Sequence, residues 1–262
     1  MKILGLVGSD VHGGNANIAK QDLYPERMRV GLETALGEEV EVVSRAVWPT
    51  RELPALVDRW MKEFEPDLVV FSVSGYSFLY ESTPVRVERR LGRLGRLIGR
   101  TSLRAAAQPR LAHNRPFQWS RRTVQRIIGG EAWFTAKEVS DVSQQVISTV
   151  LRSESGYIEV FGPSGGEKWS RNQAHLDRLI ARRRRVDREL AAFCQAHHVE
   201  YWDEARRATI ADPKPKALQG DDLHLNREGH KRMAEYQFNL ALGMARRARE
   251  HAGASVGAAV HT

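Results

Sequence analysis

Near its C-terminal end the chain runs Gly220-Asp221-Asp222-Leu223-His224-Leu225-Asn226-Arg227-Glu228-Gly229-His230. Asp221 and His224 stand three apart in a tight segment ahead of a helix. That spacing lets a carboxylate accept from one imidazole nitrogen while the other nitrogen faces a cleft. Such a pair moves protons itself or activates a nucleophile supplied by another part of the chain. At the opposite end, Gly8-Ser9-Asp10-Val11-His12-Gly13-Gly14-Asn15 puts a hydroxyl, a carboxylate and an imidazole into one glycine-rich loop. No Gly-Lys-Ser/Thr follows Gly13-Gly14, so this is not a phosphate-binding P-loop.

The elements that must carry these residues alternate between two periods. Ile3 to Val7 is a short buried strand ending at Gly8. Asp22 precedes an amphipathic stretch with Leu23, Met28, Val30, Leu32 and Leu36, closed by Gly37. Val40 to Val43 forms a second strand. Leu53, Leu56, Val57, Trp60, Met61 and Phe64 recur at helical spacing, and Leu68 to Val73 is a third strand of the kind buried on both faces. After an interruption the alternation resumes with a helix from Lys137 to Leu151, a strand from Tyr157 to Phe161, and a long helix from about Arg171 to His198. A strand from Val199 to Trp202 and a last helix from Arg227 complete it. The run Arg182 to Arg185 interrupts the pattern of the long helix. Strand–helix alternation of this kind predicts right-handed crossovers and a parallel sheet with helices on both faces. In such sheets ligands sit outside the carboxyl ends of the strands. Here those ends carry Gly8-Ser9-Asp10, Ser44-Arg45-Ala46, Ser74-Gly75-Tyr76-Ser77 and Gly162-Pro163-Ser164-Gly165, all on one rim.

Asp-x-x-His-Leu-Asn-x-x-Gly-His before a C-terminal helix resembles the last signature block of the SGNH, or GDSL-type, hydrolases. Tyr24-Pro25-Glu26-Arg27, Val40 to Arg45, Glu65 to Val70 and Gly162-Pro163 agree with that family in order and spacing. The resemblance covers nearly the whole chain outside the interruption. It implies a flavodoxin-like three-layer α/β fold with a five-stranded parallel sheet. It also implies a serine esterase or acyltransferase in which Asp221 and His224 are two members of a triad, with no cofactor and no metal. Three departures accompany it. The family's Gly-Asp-Ser is here Gly8-Ser9-Asp10, so strict alignment puts Asp10 at the nucleophile's place. The oxyanion-hole glycine of the second block corresponds to Ala46. Gly75-Tyr76-Ser77 stands where the family has Gly-x-Asn-Asp, so the oxyanion-stabilising Asn becomes Ser77, or Ser74 in another register.

Three readings of the first loop follow. In one, Ser9 attacks an acyl carbonyl, His224 takes its proton and Asp221 orients the imidazole, with Ala46, Gly75 and a serine hydroxyl as donors. In the second, Asp10 faces His224 and the pair does acid–base chemistry on a non-ester substrate. In the third, only the fold and ligand binding persist. Asp10-Val11-His12 also resembles the first block of metallophosphoesterases, with His12, His224 and His230 as conceivable ligands, but neither the Gly-Asp nor the Asn-His block of that family appears before residue 113. Elsewhere the plain readings prevail. His230 bonds structurally where a helix meets the sheet, His197 and His198 end a helix, and Trp119, Trp133 and Phe134 pack. His113 and Asn114 are surface residues of the interruption.

Composition frames these choices. The chain has 262 residues, 42% of them hydrophobic and 27% charged, the balance of a protein with a real core. No apolar run reaches the roughly 18 residues of a membrane span. The first residues read as a strand rather than a secretory leader, and one cysteine, Cys194, excludes an intramolecular disulfide framework. A cytoplasmic protein is expected. Net charge is +8, which suits an anionic partner. Twelve arginines fall between Pro84 and Arg126 against one acidic residue, Glu88. Leu91, Leu94, Leu97 and Ile98 give that segment an apolar stripe. The expectation is one domain over residues 1–250, a helical insertion at about 78–136 and a flexible tail over 251–262. The insertion follows strand three directly. As a lid it would present Arg86, Arg89, Arg93 and Arg96 to an anionic small-molecule or carrier-bound acyl substrate. A nucleic acid is the weaker candidate, because no nucleic-acid module accompanies the arginines.

Overall fold

A computed structural model describes residues 1–8, 18–92, 129–153, 157–166, 169–203 and 225–259, together with the isolated positions 116, 119, 123 and 127; side chains are described only up to residue 250. The strands are β1 (Lys2–Val7), β2 (Glu41–Ala46), β3 (Leu68–Ser72), β4 (Tyr157–Phe161) and β5 (Glu200–Trp202). The helices are α1 (Tyr24–Leu36), α2 (Leu53–Phe64), α3 (Tyr76–Leu79), α4 (Ala136–Leu151), α5 (Gln173–Ala196) and α6 (Arg227–Ala259).

All five strands pair in parallel, in the order β2-β1-β3-β4-β5. Each strand splits its apolar residues between the two faces, as a period of two requires. Leu4, Leu6, Val69, Phe71, Ile158 and Val160 pack with α2, α4 and α5 through Val57, Met61, Val146, Val150, Leu179 and Leu190. Ile3, Leu68 and Phe161 face the other way, onto Met28 and Leu32 of α1 and Ala241, Met244 and Ala248 of α6. Most of these side chains are fully buried, which stabilises the fold by about 1.5–3 kcal/mol for each large one. Glu159, on β4, is wholly buried and satisfied by Arg247 of α6 at 2.8 Å and by Trp202 Nε1 at 2.7 Å.

Local chemistry sets the ends of the helices. Gly37 closes α1 at φ 67°. Thr135 and Glu138 form a capping box at the start of α4, and Asn172 accepts from His175 N at the start of α5. Cys194 is buried in the last turn of α5, and desolvation pushes its thiol up to about 12.

Some boundaries differ from the sequence expectation. β2 extends beyond Val43, so Ser44 and Arg45 lie in the ladder opposite Gly5 and Leu6 and not in the rim. β2 is an edge strand, where polar side chains are tolerated, and the Arg45 guanidinium lies over the Trp60 ring. The arginine run does not interrupt α5. Arg183 turns inward and donates to Gly165 O at 2.8 Å, while Arg185 pairs with Glu189 on the outer face. α6 runs to Ala259 and takes in most of the stretch assigned to a tail.

The insertion leaves the sheet after α3, and its two ends are tied by an antiparallel bridge between Ser82 and Glu131. Residues 83–92 are helical. Of the apolar stripe only Leu91 is described, and it is 54% exposed. Leu94, Leu97, Ile98, Arg93 and Arg96 lie outside the described residues, as do His113 and Asn114.

Candidate active site

The strand order reverses at β1, so the crevice for a ligand opens at the carboxyl ends of β1 and β3. Gly8 follows β1, and Ser74 and Gly75 follow β3. Ser9, Asp10, His12, Asp221 and His224 lie outside the described residues, so the site is built from what surrounds them.

The segment that carries His224 is anchored from its far side. Leu225 is buried with Tyr24 and Ala234, and Val7, the last residue of β1, packs against the same cluster. Three further contacts fix the start of α6. Arg227 pairs with Asp22 at 2.9 Å, Tyr24 N donates to His230 Nδ1 at 3.3 Å, and the Tyr24 and His230 rings stack at 5.8 Å. Burial works to raise the Asp22 carboxyl, but bonds from Arg27 and Arg227 outweigh it and hold the pKa low. His230 is wholly buried, and burial, aided by Arg27, lowers its pKa below the ordinary imidazole value. Because Nδ1 accepts, the proton belongs on Nε2, which has no hydrogen-bond partner among the described residues. His230 is thus a neutral structural residue, as its sequence position implied.

The rim after β3 is tight. A β-carbon at Gly75 would lie 2.0 Å from Ser164 O, so only glycine lets the loops after β3 and β4 approach this closely. Gly75 caps α3 and its N–H makes no hydrogen bond among the described residues. Ser77 is 1% exposed and donates its hydroxyl proton to Ser74 O at 2.8 Å. That proton is committed to the backbone and does not face the crevice. Ser74 is half-buried beside it. On β2, Val47 N donates to Val7 O at 2.9 Å. Amides alternate sides along a strand, so the Ala46 N–H points to the open edge of the sheet, away from β1. Of the two backbone donors expected from the sequence, the Ala46 N–H is thus turned away from β1, and the Gly75 N–H is left without a hydrogen bond among the described residues.

Sequence reasoning missed two features of this rim. Six aromatic rings form a continuous wall. Tyr76 stacks on Tyr80 at 4.7 Å, Trp169 stands edge-on to both, and Trp48 joins Tyr76, Trp133 and Phe134 within 6.1–6.3 Å. Beside it lies Glu81, 9% exposed, which binds Arg171 through Oε2 and Arg182 through Oε1. His175 Nε2 stands 3.1 Å from the same Oε2, out of line for a hydrogen bond, while its Nδ1 accepts from Arg171 N at 3.1 Å. Burial lowers the His175 pKa, partly opposed by Glu81. The aromatics fall in four separate stretches of the chain and Glu81 in an unremarkable Tyr-Glu-Ser stretch, so no periodicity flagged them.

Among the described residues no group of His, Cys, Asp and Glu could hold a metal ion, and no helix is long and apolar enough to cross a membrane.

The chain matches no family profile and no curated protein. Among solved structures it is similar to the psychrotrophic esterase EstA from Pseudoalteromonas sp., in a structure inhibited by monoethylphosphonate. The TM-score is 0.51 at 8% identity, covering 91% of this chain and 94% of that one. It is also similar to TesA, with a TM-score of 0.53 at 10% identity, covering 92% and 99%. The chain therefore has the α/β fold of these proteins, the one that its resemblance to the SGNH hydrolases implies.

Proposed function

We propose that the protein hydrolyses an acyl ester, or transfers its acyl group, through Ser9, His224 and Asp221. His224 takes the Ser9 proton as Oγ adds to the carbonyl carbon. Collapse of the tetrahedral intermediate expels the alcohol with that proton, and water or another acceptor then takes the acyl group by the same route. The Gly75 N–H donates to the oxyanion. One observation carries this reading: Val7 and Leu225 belong to one apolar cluster. Ser9 is two residues on from Val7, about 7 Å of extended chain at most, and His224 immediately precedes Leu225. The esterase likeness adds support at the level of the fold.

In this reading the substrate is small or carrier-bound and anionic, residues 1–250 act as one domain, and the setting is the cytoplasm, where a single buried thiol fits a reducing compartment. EstA's phosphonate complex points to the assay. A fluorophosphonate probe labels the wild-type chain and Asp10→Ala but not Ser9→Ala, and His224→Ala loses turnover of 4-nitrophenyl acetate. No labelling of the wild type, with His224→Ala harmless, overturns the proposal. Labelling lost in neither variant would move the nucleophile elsewhere.

A further inference from the structure

We infer that Arg86, Arg171 and Arg182, organised around Glu81, form a subsite for a compact oxyanion terminus, a phosphate or a carboxylate, on the ligand that occupies the rim. This deepens the proposed function by naming the end of the substrate that is recognised, and it rests on that reading only for calling the ligand a substrate.

Among the described residues the cluster sets two guanidiniums and an imidazole about one carboxylate, with the Arg86 guanidinium beside Arg171 at Gly129. Arg171 and Arg182 are each held by a different oxygen of Glu81, and their side chains remain 29% and 41% exposed. Arg86 has no carboxylate partner among the described residues. Its Nη1 lies against Gly129, where a β-carbon would approach to 2.3 Å, and Arg171 Nη1 is 3.7 Å from the same point. Gly129 has φ +77°, so the close approach of the two guanidiniums is built on a residue that only glycine suits there. Two like charges converging on an uncharged backbone, with one counter-charge already shared, leave a surplus that a planar or tetrahedral anion relieves by accepting several charge-assisted hydrogen bonds. Glu81 is a strut, since it fixes two of the forks and cannot neutralise all three.

The position agrees with this role. Glu81 follows Tyr80 in the chain and Arg171 lies two residues after Trp169. Tyr80 contacts Trp169 at 6.0 Å and Glu81 contacts Arg171, so aromatic wall and arginine cluster are successive rungs joining the loops after β3 and β4. A ligand with an apolar body against the wall meets the guanidiniums at its far end.

The test uses the full chain and two probes, inorganic phosphate and glutarate. Each is titrated at constant ionic strength while tryptophan fluorescence is followed, with Trp169 as the reporter beside the cluster. The expected result is saturable binding in the millimolar range or tighter, weakened about tenfold or more in Arg86→Gln and in Arg182→Gln. Arg86→Gln breaks no ion pair of Glu81, so the fold is retained in that variant. Which probe binds more tightly identifies the anion. Mono-(4-nitrophenyl) glutarate against 4-nitrophenyl butyrate then reads the substrate role. The ratio of their KM values rises about tenfold in Arg86→Gln. Absence of saturable binding of either probe, or equal binding by wild type and both variants, overturns the subsite. Binding with no ester turnover supports the subsite and overturns the esterase reading instead.

Discussion

Replacing Gly75 by alanine tests the geometry of the rim directly. The added β-carbon would sit 2.0 Å from Ser164 O, 3.1 Å from Ser164 C and 3.2 Å from Leu79 Cδ1. Real β-carbons essentially never approach closer than 3.0 Å, so one backbone segment must shift by about 1 Å. Gly75 has φ −62°, which alanine adopts freely, so the whole effect is steric. Overpacking of this kind costs about 1–3 kcal/mol, which for a chain of this length lowers Tm by about 2–12 °C. The same displacement moves the Gly75 N–H, and loss of an oxyanion donor lowers kcat by about 10²–10³. Gly8→Ala is the control, because among the described residues nothing lies within 4 Å of its β-carbon and its stability should stay within about 0.5 kcal/mol of wild type. Thermal denaturation of both variants, with turnover of 4-nitrophenyl acetate by Gly75→Ala, decides the matter. A Gly75→Ala protein that melts with the wild type, or a Gly8→Ala protein destabilised just as much, would refute the reasoning.

Ser77→Ala separates a structural hydroxyl from a catalytic one. Its bond to Ser74 O predicts a stability loss of about 1 kcal/mol with kcat reduced less than tenfold, and a hundredfold loss would show that the hydroxyl serves the oxyanion after all. His175 and His230 both have pKa values lowered by burial. The unfolded state therefore binds more protons below its ordinary imidazole pKa of about 6.5. Stability is full above that pH and falls as the pH drops toward the folded-state values, and Tm measured from pH 7.5 to 5.5 should decline, less steeply in His230→Gln. A flat profile would contradict the burial of the two rings. Cys194, with its thiol pushed up to about 12, should resist Ellman's reagent in the native chain and react once denatured. Rapid native labelling would show that the last turn of α5 opens.

How far the sequence foretold this molecule depended on which force shaped each part. The strands were legible because apolar residues on both faces of a parallel sheet leave continuous runs, and α2 was found residue for residue because its apolar stripe repeats at helical spacing. β2 read short because edge strands accept Ser44 and Arg45. The arginines of α5 looked like a break because sequence shows charge and not direction. Arg183 finds a carbonyl inside while its neighbours face water. The site divided similarly. Asp221 and His224 are singled out by spacing but lie outside the described residues, while Gly75, singled out by its place after β3, stands where the loops after β3 and β4 meet. The direction of the Ala46 amide and the commitment of the Ser77 hydroxyl follow from hydrogen-bond partners that no motif encodes. Glu81 is a buried carboxylate satisfied by Arg171 and Arg182, ninety and more positions away, a long-range pairing invisible to local pattern.

The bridge between Ser82 and Glu131 has a consequence for how this protein could change over time. It brings both ends of the insertion together at one point beside β3, so the loop-closure entropy is already met at the base. Because that entropy grows only with the logarithm of loop length, the chain between the two residues can lengthen, shorten or be exchanged with little effect on the sheet below. Glu81, Arg171 and Arg182 lie outside the bridged segment, so any replacement would inherit their ion pairs at its foot, whereas Arg86 and Gly129 would go with the exchanged chain. The insertion is thus a replaceable cassette on a fixed socket, and new substrate preferences could arise by changing it alone while the strands, the anchoring of α6 and the rim glycine stay as they are.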